Sequence, residues 1–97
     1  MGLTYIESIA EQIRREVPGA DLPEENAKVL FRIYAVLLLA KGQSVDAADV
    51  HNAWVAWMCS IDADHEALVP FNELSEEVAR MDDSYVNAIR AVAARGN

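Results

Sequence analysis

The sequence predicts an all-α fold, a single compact domain of about five helices, and three observations carry that expectation. Apolar residues recur at spacings of three and four in successive stretches, most stretches begin at a residue suited to cap a helix, and proline or glycine stands at the joins. Ninety-seven residues supply material for only one hydrophobic core. With 53% of them apolar, that core needs no disulfide or metal to hold it.

Thr4 followed by Glu7 is a capping-box pattern, and Ile6, Ile9, Ile13 and Val17 continue it at helical spacing. A first amphipathic helix is expected to about Val17, ended by Pro18-Gly19. Asp21 and Pro23 mark the start of a second, with Glu24 and Glu25 in its first turn, where negative charge suits the helix dipole, and Gly42 as its terminator. Its centre, Leu30 to Leu39, is apolar on nearly every side, as in a helix packed against several others. These two helices form an N-terminal pair over 1–43.

Ser44 is the expected cap of a third helix, with Asp46 and Asp49 near its start and a stripe of Val50, Trp54, Trp57 and Ile61 on one face. The periodicity fails over about 62–74, between the third and fourth helices. Pro70 biases Val69 toward extended geometry there, so Leu68 to Phe71 is expected to be an ordered extended segment pressed on the helices. Ser75 or Asn72 then caps a short helix through Met81. Asp82 and Asp83 interrupt it and cap a final helix, in which Tyr85, Ile89 and Val92 share a face up to about Arg95.

Charge and apolar length exclude several function classes. Sixteen acidic residues against eight basic ones leave a net charge of −8, which disfavours direct nucleic-acid binding and adhesion to an anionic membrane. The longest apolar stretch, Val29 to Ala40, is broken by Arg32 and falls short of the ~20 residues that span a bilayer. The single cysteine, Cys59, has no internal partner, and Glu7 and Glu11 interrupt any leader-like apolar run, so the cytoplasm is the expected location.

The candidates for chemistry are few. His51, Cys59 and His65 lack the paired spacings of a zinc site, so neither a metal nor another cofactor is expected. Cys59, His65 and Asp62 or Asp64 have the residue types of a nucleophile, a base and an orienting acid, but such triads are recognised by geometry, and Cys59 reads as a small buried hydrophobe. Glu73, Glu76 and Glu77 read as helix-start charges beside Ser75. No catalytic residue is assigned, and an enzyme is not expected. Phe31, Tyr34, Trp54, Trp57 and Phe71 could line a pocket for a planar ligand, although their helical spacing suits core packing better.

From His51 onward the residue order resembles a known family. His51-Asn52-Ala53-Trp54, then His65-Glu66-Ala67-Leu68-Val69-Pro70-Phe71-Asn72-Glu73-Leu74, then an acidic helix and Asp82, is similar to the ryanodine-receptor repeat domain. That family carries a His-x-x-Trp helix and a His-Pro-x-Leu-Val-Pro-Tyr-Asp-Glu-Leu segment. The resemblance covers 44–97, with Trp57 to Ile61 standing where the family has Gly-Trp-x-x-Gly. The chain also looks like small proteins of actinobacteria and their phages. The resemblance implies a helical module whose prokaryotic relatives bind nucleotide-derived signals, in the setting of conflict between phage and host.

The matched positions His51, Trp54, His65, Phe71 and Glu73 are the candidate ligand- or partner-binding residues. In one role Trp54 and Phe71 anchor the extended segment on the third helix and Glu73 accepts a backbone bond; in the other, His51 and His65 flank a concave surface and donate hydrogen bonds to a small anionic ligand. The leading expectation is a non-enzymatic binding module acting through a protein partner. Self-association is included, because an exposed flank with Leu3 and Tyr5 and the very apolar second helix offer a surface for a homodimer. A receptor or sponge for a small nucleotide-derived signal is the alternative, and it requires His51, Trp54 and His65 to border an open pocket; a hydrolase using Cys59 is the weaker alternative.

Overall fold

The computed structural model describes residues 4–23 and 27–95. Five α-helices account for most of it: α1 (Tyr5–Glu16), α2 (Ala27–Lys41), α3 (Ala47–Met58), the single turn α4 (Glu76–Ala79) and α5 (Asp83–Ala93). Short 3-10 turns occupy Gly19–Asp21, Gly42–Ser44, Phe71–Glu73 and Arg80–Asp82. The fold is all-α, with no strand among the described residues. Helix α1 packs along α2, α5 lies against both, and α3 packs against α2 and α5.

Local chemistry explains most boundaries. The Thr4 hydroxyl accepts the Glu7 amide at 3.2 Å and donates to the Glu7 carboxylate at 3.3 Å, so α1 begins where the pattern placed it. Gly42 ends α2 in the left-handed region at φ 56°, a conformation that costs a residue with a Cβ. Ile13, Leu30, Ala35, Val45, Val50 and Ile89 are sealed in one core. Phe31 meets Tyr34 edge to face at 5.7 Å, and Tyr85 lies 5.4 Å from Tyr34, so the aromatic part of the core joins α2 to α5. Polar ties fix the periphery: Arg90 Nε donates to the Val45 carbonyl at 2.7 Å, and the Arg95 guanidinium pairs with Glu16.

Five expectations are corrected. The cap of α3 is Asp46 and not Ser44: Asp46 accepts the Asp49 amide at 2.9 Å while Asp49 accepts the Asp46 amide at 3.1 Å, a reciprocal box that Ser44, held in the preceding turn, cannot form. Helix α3 stops at Met58, because Cys59 and Ser60 turn their side chains back onto the Ala56 and Trp57 carbonyls. Ile61 and Cys59 are therefore exposed, and Cys59 is not a core residue. Asp82 does not cap α5: the backbone from Arg80 through Asp83 stays right-handed helical, and the expected break is a tightened 3-10 turn. Asp21 lies in a 3-10 turn ahead of α2, and Glu24, Glu25 and Leu3 lie outside the described residues.

The fifth correction concerns 62–74, which is ordered but folded rather than extended. Asp62 accepts the Asp64 amide, turns close from Asp62 to His65 and from His65 to Leu68, and a 3-10 turn follows at Phe71–Glu73 after Pro70. Short polar residues bonding to their own backbone favour turns of this kind over an extended run.

Candidate functional site

The site is built outward from α3. His51 and Trp54 sit one turn apart on the same face, so their rings stack at 5.8 Å with 23° between planes. His51 is only 3% exposed, and its Nε2 lies 2.7 Å from the Val69 carbonyl, eighteen residues away. A carbonyl can only accept, so Nε2 carries the proton and donates. Phe71 flanks the same ring at 6.1 Å. One imidazole thereby pins the folded connection onto α3.

Trp54 uses its other side to meet His65, edge on, at 5.1 Å. His65 Nδ1 accepts the Ala67 amide at 3.0 Å, which leaves Nε2 as the protonated nitrogen of the neutral ring. Between this loop, α2, α3 and the start of α5 lies an open cavity of about 640 Å³. Its walls include Tyr34 from α2, His51, Trp54 and Trp57 from α3, His65 and Ala67 from the loop, and Asp82 and Tyr85 at the start of α5. Asp21, Glu66 and Met81 also line it.

Its polarity is set by acids and hydroxyls. Asp21, Glu66 and Asp82 contribute carboxyl groups, while no lysine or arginine is among the described lining residues. Burial pushes the Asp82 carboxyl up to about 6, with Asp83 raising it further and His51 opposing. Tyr85 is pushed up to about 12, chiefly by burial, and its hydroxyl donates to the Asp21 carbonyl. The Tyr34 phenol is raised still more by burial and by its neighbours Tyr85 and Asp82, so it stays a neutral donor. Tyr34 is 1% exposed, and its hydroxyl forms no hydrogen bond among the described residues. No polar side-chain atom among those residues is both sealed and unpartnered, so this hydroxyl meets solvent through the cavity.

Of the sequence-predicted site residues, His51, Trp54 and His65 come together at the cavity wall. Phe71 stands behind His51, outside the lining. Glu73 is exposed on a 3-10 turn, and its side chain accepts no backbone bond among the described residues. Of the aromatic residues offered as pocket walls, Tyr34, Trp54 and Trp57 line the cavity, whereas Phe31 is core. The triad residue types do not converge: Cys59 bonds Ala56, His65 accepts from Ala67, and Asp62 accepts from Asp64, each to its own local backbone. No group of three metal-ligating side chains forms among the described residues.

Tyr85, Asp82, Asp21 and Met81 were not anticipated as wall residues. Asp82 had a readable signal in principle: it and Asp83 are adjacent candidates for one cap, so at most one is needed.

Residues 4–94 match the model of a family described as a domain of unknown function, DUF7701, and the chain belongs to that family. The match spans both halves of the fold and carries no link to the ryanodine-receptor repeat. No curated protein and no solved structure matches the chain.

Proposed function

We propose that this chain is a non-enzymatic binding module whose site is the cavity between α2, α3, the 62–70 loop and the start of α5. The observation that supports this most is the joint position of His51, Trp54 and His65 on the wall of an open cavity of about 640 Å³, within the range that takes a small organic molecule. Its walls are aromatic with a few polar groups, the composition expected of a ligand pocket. None of the described lining residues supplies the guanidinium or ammonium groups that bind phosphate, so the cavity chemistry favours a ligand other than a nucleotide-derived anion. A test uses neutral phenylnaphthylamine, which fluoresces when it enters an apolar site. The protein is expected to bind it, and Ala67→Trp, which places an indole inside the cavity, is expected to weaken binding by about tenfold or more. Equal binding by both proteins would put the dye elsewhere and refute the reading.

A second reading rests on a separate observation. Val29, Val36 and Leu39 on α2 are half-exposed and share one face of the helix. Helix α2 carries no carboxylate, so two copies meeting along it would bring together the least acidic part of a chain with a net charge of −8. This supports self-association beside ligand binding. Sedimentation equilibrium checks it: Val36→Asp is expected to shift the protein to monomer, and a parent protein that is already monomeric at high concentration removes the reading.

A further inference from the structure

We infer that the cavity takes a planar organic cation, such as a protonated or N-methylated aromatic heterocycle. The inference rests on the cavity being a binding site and adds the class of its ligand. Trp54, Trp57, Tyr34 and Tyr85 line the wall, and a cation is drawn to an aromatic face by the ring quadrupole. All the formally charged side chains in the described lining are acids: Asp82 inside, and Asp21 and Glu66, both exposed, nearer solvent.

Tyr34 provides an independent pointer to a ligand. It is almost wholly buried, yet its hydroxyl has no partner in the described fold and reaches the cavity. The hydroxyl meets only solvent through the cavity, and its oxygen can accept from the N–H of a protonated heterocycle that displaces that solvent. Tyr85, by contrast, already donates to Asp21. The unpaired hydroxyl therefore sits at the cavity wall, and the carboxyl of Asp82 lies near enough to influence it.

Asp82 makes the preference dependent on pH. It is faced by His51 from α3, Tyr34 from α2 and Tyr85 from α5, with Asp83 next to it in the chain. As its carboxyl ionises near pH 6, the cavity gains a negative charge and cation affinity rises.

The experiment compares three probes of one shape by calorimetry at neutral pH: N-methylquinolinium, methylnaphthalene and naphthoate. The cation is expected to bind about tenfold tighter than the neutral analogue, with the anion weakest. Asp82→Asn is expected to narrow the ratio of cation to neutral affinity, and Glu66→Gln, at an exposed position that the fold does not depend on, to narrow it less. If methylnaphthalene or naphthoate binds as tightly as the cation, the ligand class is overturned while the cavity remains a site. If none of the three binds and phenylnaphthylamine does not bind either, the site itself is overturned.

Discussion

Replacing His51 by phenylalanine separates a structural imidazole from a ligand-binding one. Phenylalanine keeps a flat ring of similar size at a position only 3% exposed, so stacking on Trp54 and contact with Phe71 survive and little void is left. What disappears is the Nε2–H that donates to the Val69 carbonyl at 2.7 Å. A part-buried acceptor left without its donor costs about 1–3 kcal/mol, less where water can reach it. In a chain of 97 residues each kcal/mol moves the midpoint by about 4–8 °C, so Tm should fall by roughly 5–20 °C. His51→Ala removes the ring as well and should cost about 3–5 kcal/mol, as expected for a buried aromatic truncated to alanine. Urea unfolding followed by circular dichroism and by tryptophan fluorescence gives both values, with an unchanged m-value showing that the unfolded state is the same. If His51→Phe unfolds within about 0.5 kcal/mol of the parent, the bond to Val69 does not hold the loop, and the case for His51 as the loop anchor fails.

Other consequences follow from single contacts. Asp46→Ala removes the carboxylate that accepts the Asp49 amide while leaving the Asp46 amide to donate to Asp49, and should cost about 1 kcal/mol in the same urea assay. Asp82 holds its proton more tightly in the folded chain, with a pKa of about 6 against an ordinary 3.8, so stability should fall as pH rises from about 4 to about 6 and level off above. The parent and Asp82→Asn should therefore diverge across that window by about 1–2 kcal/mol, a figure discounted because the carboxyl is only partly buried; a constant difference between them from pH 4 to 7 would contradict the assignment. Cys59→Ser should change stability by less than about 0.5 kcal/mol, because the thiol is exposed beyond the end of α3; a larger loss in thermal melts would place it in the core after all.

What the sequence revealed depended on how local the deciding interaction is. The start of α1 was legible because the Thr4–Glu7 pair that makes it lies three residues apart. The start of α3 was misread because Ser44 and Asp46 are both good caps two residues apart, and only the reciprocal bond with Asp49 decides between them. The apolar α2 predicts both packing against several neighbours and apolar surface left over, and Val29, Val36 and Leu39 do face outward, since α1, α3 and α5 cover only part of the helix. His51, Trp54 and His65 were singled out by their order in the chain, whereas the rest of the cavity comes from positions as distant as Asp21, Tyr34 and Tyr85. Spacing along a helix cannot separate Phe31, which fills the core, from Tyr34, which reaches the cavity.

A domain this small ordinarily closes such a space, because interiors pack nearly as densely as organic crystals. The walls of this one are positioned by directional polar bonds as well as by apolar contact. His51 holds the loop through Val69, Tyr85 holds the 19–21 turn through Asp21, and His65 fixes its own ring through Ala67. Such bonds set distances between elements without filling the space between them, so the cavity is a consequence of which residues donate and where. The wall and the fold therefore share His51, and losing its bond should loosen the loop and weaken binding together. Ala67→Trp fills the same space without touching those bonds, so it should weaken binding while leaving the unfolding midpoint close to that of the parent. If both substitutions shifted stability and binding in fixed proportion, the cavity would be a by-product of packing and not a site maintained by its own polar frame.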